Sequence, residues 1–352
     1  MTAARQNMTS ARKAKTVSGP TVGAGYARGL LDFAVAQGAD RAQLIARVQI
    51  SNDDLADTDN RVPFAKYMTL MRTGAALSGD PALALHFGES ADLGEYSIVA
   101  LIADASKTMG HALVQLNRYG RLVVEVDTGS GDRFRVTREG DATWLVDTRK
   151  DPNSFPELTE STFARMACHS RQFGSPDKPF VRAVHVTHSK PAYSAEYDRI
   201  FRAPIVFEAS RNAIMIDDSW TTHAVARTTR YAFGVLSEHA KALLVKLEAS
   251  KTTRGRVESL LIPILHMGEP NMERTAEKMG VSGDTLYRKL KTEGVTYEKL
   301  LDELRHKMAL HYLNGKKASV NEVAYLVGFS EPSAFSRAFK RWTGASPRKW
   351  RA

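Results

Sequence analysis

The chain is expected to fold as an α+β N-terminal domain, helices plus a small antiparallel sheet, followed by an all-α domain built on a double helix-turn-helix. Three observations predict this. Hydrophobic periodicity switches from helical to alternating and back within the first 218 of 352 residues. In the last hundred residues the pattern is helical and duplicated. Charge is divided unevenly: residues 251–352 carry 19 Lys and Arg against 11 Asp and Glu, residues 1–20 carry four basic residues and no acid, and residues 21–250 carry 26 basic against 28 acidic.

In chain order, Gly29–Ala36 reads as helix and stops at Gln37-Gly38. Phe64, Tyr67, Met68, Met71 and Ala75 recur at three- and four-residue spacing, and Thr108–Tyr119 continues helical up to Gly120. The period then changes to two. Leu122–Thr128, Arg133–Thr137 and Thr143–Thr148 read as strands, with Gly129-Ser130-Gly131-Asp132 as a hairpin turn between the first two. Phe155–Phe173 returns to helix. Val181–Thr187 reads as strand, Ala195–Phe201 as helix, and Ile205–Phe207 and Ala213–Ile216 as the last strands. Residues 21–218 are therefore expected to form one α+β domain with a small antiparallel sheet.

Residues 219–250 read as a connecting helix. Ala226, Thr229, Phe233, Leu236, Ala240, Leu243 and Leu247 alternate at spacings of three and four, a stripe over three heptads. Phe233, Leu236, Ala240, Leu243 and Leu247 are expected to meet a second copy, the alternative being packing on their own domain. Asp217-Asp218 is expected to cap this helix, and Ser250–Gly255 to form the linker to residues 251–352.

Composition narrows the function. The charge distribution points the last hundred residues at a polyanion, and residues 1–20 read as a disordered basic tail. The single cysteine, Cys168, excludes internal disulfides and multi-Cys zinc sites. The longest strongly apolar stretch, around Ser97–Ala103, falls far short of the ~20 residues that span a bilayer. A soluble cytoplasmic protein without cofactor, metal or membrane attachment is expected.

The duplicated unit carries the argument. Met272–Gly294 and Asn321–Gly344 align on Ala276 with Ala324 and on Gly280 with Gly328. Each has the parts of a helix-turn-helix. A small Ala lets two helices cross closely, and a turn Gly accepts positive φ. An apolar pair one turn apart faces the core, Leu286 with Leu290 and Phe335 with Phe339. Ser282 and Ser330 stand where a hydroxyl caps the second helix, which in the second copy begins near Pro332 or Ser333. Thr275, where an apolar residue is expected, and Gly283 make the first copy imperfect. Between the copies, Tyr297–Leu313 reads as one amphipathic helix that buries Leu300, Leu301, Leu304, Met308, Leu310 and Leu313 and leaves Lys299, Arg305 and Lys307 wet. At 1.5 Å per residue it spans roughly 25 Å, a rod able to hold two recognition helices about one DNA turn, ~34 Å, apart.

This C-terminal hundred resembles the AraC/XylS family of bacterial transcription regulators. The Gly-Phe-Ser-acid-Pro-Ser-x-Phe-Ser-Arg-x-Phe-Lys core stands at Gly328–Lys340, and the closing pattern at Gly344, Ser346, Pro347, Trp350 and Arg351. Gly79–Leu85, Gly88, Gly94, Ser106–Met109, Tyr119 and the series Pro191, Tyr197, Phe201, Pro204, Phe207, Asn212 resemble the family's arabinose-binding-like effector domain, of the ornithine- and virulence-regulator branch. Lys107 and Met109 depart from that domain's Ser-Pro-Thr-Leu. The helix–strand order does not resemble a sugar-binding barrel, so arabinose is not implied. Family pattern and helical geometry together place Asp284, Tyr287 and Arg288 of the first copy, and Ser333, Ala334 and Arg337 of the second, against base edges. Lys289, Lys291, Lys340, Arg341 and Lys349 are expected at phosphates. Expected partners are double-stranded promoter DNA, a small-molecule effector, RNA polymerase and a second copy of the chain. Tyr96, Arg118 and Tyr119 are candidate effector contacts.

Other constellations are weaker. His185 and His188 have metal-like spacing only on a helix, whereas in a strand they point to opposite faces. His306 and His311 diverge on a helix. Gly23-Ala24-Gly25 reads as a flexible lead-in rather than a dinucleotide loop. The alternative function is a DNA-repair or modification enzyme carrying the same DNA-binding module, which needs an activated Cys168. Its neighbour His169 diverges from it by ~100° on a helix.

Overall fold

The computed structural model describes residues 19–90, 93–129, 131–172, 179–225, 230–268, 270–314 and 319–351. The basic tail before Gly19, and Ala226 and Thr229 of the heptad stripe, lie outside these. The described residues fall into two compact units, one ending at Leu244 and the other starting at Val245.

The first unit opens with β1 (Thr21–Gly23), α1 (Ala24–Ala36), α2 (Arg41–Val48), β2 (Arg61–Pro63), α3 (Phe64–Ser78) and α4 (Leu83–Ser90). The paired strands β1 and β2, three residues each, carry no periodic signal. The helical spacing seen in the sequence buries Leu30, Leu44, Tyr67, Leu70, Met71 and Phe87 in one core. Gly23-Ala24-Gly25 is not flexible. Gly23 ends β1, and a Cβ on Gly25 would come within 2.4 Å of both the Tyr96 carbonyl and Thr58 Cγ2.

Next come α5 (Ile98–Asp104) and α6 (Met109–Tyr119), capped by the Ser97 and Thr108 hydroxyls. Leu122–Thr128 is not a strand. Gly120–Leu122 is a 3-10 turn, and the segment makes only an isolated bridge, Val124 to Val22. Its sequence alternation does not become an alternation of burial: Val123, Val124 and Val126 all pack on the first core. Glu125 between them is also buried, held by the Thr21 amide and hydroxyl at 3.1 and 2.8 Å. The expected hairpin turn at Gly129–Asp132 therefore lies one element too early. The hairpin joins β3 (Phe134–Glu139) to β4 (Ala142–Asp147) through Gly140, at φ +58°.

After α7 (Pro156–Arg171), β5 (Val181–His185), α8 (Ser194–Phe201), β6 (Ile205–Val206) and β7 (Asn212–Ile216), a five-stranded sheet runs in the order β3-β4-β7-β5-β6. Its pairs are antiparallel except β5 with β6, which is parallel. The reason is topological: α8 is a crossover, which returns the chain in the same direction. Phe163, Ala167, Val184, Tyr197, Ile200 and Ile214 fill a second core between sheet and helices.

Asp217 caps a short 3-10 helix, Asp218–Thr222, rather than the long one. The long helix α9 runs over Arg230–Lys251, straight through the first residues of the expected linker. Thr252 then caps the next helix directly, accepting from the Gly255 amide. Part of the heptad stripe packs inside the first unit. Phe233, Leu236 and the fully buried Ala240 close a cluster with Val99, Ile102 and Tyr119 of α5 and α6. Leu243 is half-buried and Leu247 buried. The periodicity marks a face of which Phe233, Leu236 and Ala240 pack on α5 and α6 of their own domain.

The second unit continues with α10 (Thr253–Leu261), α11 (Met272–Lys278), α12 (Gly283–Thr292), α13 (Tyr297–Asn314), α14 (Val320–Leu326), α15 (Pro332–Thr343) and α16 (Pro347–Arg351). Leu286, Leu290, Leu300, Leu304, Phe335 and Phe339 are buried in its single core.

Candidate nucleic-acid interface

Two helix pairs build the interface: α11 with α12 and α14 with α15. Ala276 and Ala324 are buried where each pair crosses. The turns pass through Gly280 at φ +69° and Gly328 at φ +80°, the left-handed region that L side chains disfavour. Gly328 carries a second constraint, because a Cβ there would lie 2.3 Å from the Leu265 carbonyl.

The second helices start differently. Ser282 caps α12 by accepting from the Thr285 amide at 3.2 Å. In the other copy Glu331, not Ser330, is the cap residue. It offers no side-chain bond, and Pro332 follows at the first turn, where a missing N–H costs nothing. The helix before α15 compensates: Ser319 and Glu322 form a reciprocal capping box at α14.

Leu286 with Leu290, and Phe335 with Phe339, face the core. The opposite faces of α12 and α15 are therefore presented to solvent. On α12, Asp284, Tyr287, Arg288, Lys289 and Lys291 are exposed, and the Lys291 ammonium stands 5.9 Å over the Tyr287 ring. On α15, Ser333, Arg337 and Lys340 are exposed, while Ala334 is half-buried. Lys349 is exposed on α16. Among the described residues, no carboxylate lies within ion-pair distance of Arg288 or Arg337.

Arg341 differs from the others. Its guanidinium donates to both Asp302 oxygens on α13 at 2.8 and 3.0 Å, and the neighbouring Trp342 indole donates to Asp302 at 2.8 Å. It ties α15 to α13. Arg305, expected to be solvated, donates to the Gly328 carbonyl at 3.1 Å and lies 4.9 Å over the Phe329 ring. So α13 grips the second copy at its turn and near the end of its recognition helix.

The first copy is held otherwise. The out-of-pattern Thr275 is buried, its hydroxyl bonded to the Tyr297 hydroxyl at 2.8 Å, so the polar substitution is satisfied. Glu293 accepts from the Thr253 and Arg254 amides at 2.6 and 2.8 Å, closing α12 onto the start of α10. Asp302, Arg305, Tyr297 and Glu293 were not singled out from sequence for these contacts. Only the Ser319-x-x-Glu322 spacing carried a readable signal.

Two family profiles match this architecture. The arabinose-binding domain of AraC transcription regulators, N-terminal, matches residues 38–225, more than half of the chain. A helix-turn-helix domain matches residues 275–352. The chain belongs to the AraC-type transcription regulators. It is a DNA-binding transcription regulator with an arabinose-binding-like N-terminal domain, not an enzyme. It is similar to the ornithine utilization regulator of Pseudomonas aeruginosa, 26% identical over 334 residues, 93% of this chain and 95% of that one. It is also similar to the HTH-type transcriptional regulator VirS of Mycobacterium tuberculosis, 25% identical over 332 residues, 92% of this chain and 94% of that one. Among solved structures, transcriptional regulator CdpR from Pseudomonas aeruginosa matches at 23% identity and a TM-score of 0.40, over 85% of this chain and 96% of that one.

The remaining AraC-type site expectations resolve as follows. Tyr119 is fully buried against α9, with Arg118 5.3 Å over its ring, whereas Tyr96 packs on Gly29 of α1. His185 stacks on Trp144 while His188 bonds the Tyr197 hydroxyl, so the two histidines serve separate contacts. His306 stacks on Trp342. Burial pushes the Cys168 thiol above its ordinary pKa, the reverse of nucleophile activation, and His169 pairs with Asp104 at 3.1 Å. No helix of the described residues is long and apolar enough to cross a membrane.

Proposed function

We propose that this AraC-type regulator reads two adjacent major-groove segments, one with α12 and one with α15, and that a small molecule bound to the N-terminal domain controls it. The observation that carries the DNA reading is the pair Arg288 and Arg337. Each is exposed on a recognition helix opposite the buried pair, and neither is neutralised by a described carboxylate. A free guanidinium in that position matches guanine O6 and N7. Asp284, Tyr287, Ser333 and Ala334 shape the same two faces, and Lys289, Lys291, Lys340 and Lys349 supply phosphate contacts. The arabinose-binding-like domain supports effector control. One relative is named for ornithine utilization, which makes ornithine the first compound to try.

Gel shifts on cognate and scrambled promoter DNA test the reading. Arg288→Ala and Arg337→Ala should each lose about 1–3 kcal/mol of cognate binding and leave scrambled binding unchanged. Equal loss on both DNAs would remove the base-reading role.

A further inference from the structure

Between α6 and β3 lies a wide-mouthed, solvent-open cavity of about 560 Å³, comparable in volume with the ~300–1,000 Å³ of ordinary ligand sites. Its walls are locked together. The Asn117 side chain donates to the Phe134 carbonyl at 2.7 Å and accepts from the Phe134 amide at 3.0 Å, pinning α6 to the edge strand of the sheet. Such a site is formed before any ligand arrives.

The lining is chemically specific. Arg118 on α6, Arg135 on β3 and Asp132 on the approach to β3 are among its lining residues. Among the described residues, none of these three has an opposite charge within ion-pair distance. The Thr137 hydroxyl, also in the lining, is a buried oxygen without a hydrogen-bond partner among the described residues. Val114 and Val136, 59% and 43% exposed, supply an apolar surface beside these groups. Two guanidiniums offer paired donors to a carboxylate. An unpaired carboxylate offers the complement to an ammonium.

We propose that this cavity binds a small zwitterion of the amino-acid class: Arg118 and Arg135 take its carboxylate, Asp132 its ammonium, and Val114 and Val136 its aliphatic part. This rests on the ligand-responsive reading above and gives it a place and a chemistry. The place also offers a consequence. The Arg118 guanidinium lies 5.3 Å over the ring of Tyr119. Tyr119 is fully buried in the cluster that holds Ala240 of α9, and its hydroxyl donates to the Ser237 carbonyl at 3.5 Å. A carboxylate that draws Arg118 toward the cavity takes a cation off the ring that seats α9.

Thermal unfolding and titration calorimetry of the full chain test this with L-ornithine, L-glutamate, L-leucine, D-arabinose and decanoate as probes. An amino acid should raise the melting temperature of the unaltered chain. Arg118→Gln and Arg135→Gln should each weaken its binding about 10- to 100-fold. The Arg135 side chain is exposed, so Arg135→Gln should leave the unliganded melting temperature unchanged. Arg118→Gln also removes the cation over Tyr119, so its ligand shift is read against its own unliganded melting temperature. Val136→Trp, which fills the cavity from an exposed position, should block binding without touching a charge. A probe that binds equally well to all three variants would overturn this site and leave the ligand-responsive reading standing. Failure of every probe to bind the unaltered chain would overturn the amino-acid class and weigh against that reading.

Discussion

The two helix-turn-helix copies share a plan and differ in what holds it. The first copy turns in open space at Gly280, is capped by Ser282, and is held by the Thr275–Tyr297 hydroxyl pair and by Glu293 on the Thr253 and Arg254 amides. The second is gripped at the turn itself and along its recognition helix. Gly328 is pressed against the Leu265 carbonyl, Arg305 grips the turn, and Asp302 holds Arg341 and Trp342. A duplicated motif thus fixes where the recognition helices begin, while their fastening depends on what each copy packs against.

The difference can be broken or sharpened by substitution. The largest effect is expected at the turns. Gly280→Ala meets only the cost of positive φ, about 1–2 kcal/mol. Gly328→Ala adds a backbone clash and should cost about 2–5 kcal/mol. Denaturant unfolding of both variants measures this, and equal losses would mean that the Leu265 contact relaxes freely.

Caps come next. Ser282→Ala and Ser319→Ala should each cost ~1 kcal/mol, since Ser319→Ala loses the hydroxyl but keeps the backbone amide that donates to Glu322. Unfolding curves that show no loss for either variant would contradict the caps.

Lys340 and Arg341 are neighbours on α15 with different surroundings. Lys340→Ala should flatten the slope of log binding against log salt by ~0.9. Arg341→Ala should leave that slope unchanged and lower stability by no more than ~1 kcal/mol, since its partner Asp302 is exposed enough for solvent to screen the pair. A drop in salt slope for Arg341→Ala would return it to the phosphate contacts.

The smallest effect concerns acid. Glu322 is held below its ordinary pKa by the Ser319 amide. At Glu293 burial pulls upward, but bonds from the Arg254 and Thr253 amides prevail and the pKa is lowered. Each carboxylate binds protons less readily folded than unfolded. Its contribution is full above the ordinary glutamate value and is lost as pH falls through the folded one. Glu293→Gln and Glu322→Gln should therefore be less stable than the unaltered chain at neutral and alkaline pH, approach it in acid, and so show a smaller acid-induced drop. An unaltered acid limb in unfolding titrations would contradict this.

Where the sequence was legible, the signal was local. Gly280, Gly328 and Pro332 mark turns and a helix start because backbone chemistry is set by one or two residues. Contacts across long separations left no mark: Asp302 and Arg341 are 39 residues apart, and neither spacing nor charge links them. Periodicity was legible but silent about partners. The stripe at Phe233, Leu236 and Ala240 reports one-sided burial, whereas the alternation at Leu122–Thr128 accompanies burial of the consecutive Val124 and Glu125. Neither says whether a strand, a second copy or the chain's own helices provide the cover. The cavity between α6 and β3 was beyond reach for the same reason, since its charges come from segments that meet only in the fold. Arg118 alone among them was singled out from sequence.

The central claim is that both recognition helices read bases. Selecting binding sites from random DNA for the unaltered chain, Arg288→Ala and Arg337→Ala tests it most directly. The expected result is that each variant loses base preference in its own segment, with the two affected segments about 10 base pairs apart. Loss confined to one variant, or at the same positions for both, would contradict the two-helix reading.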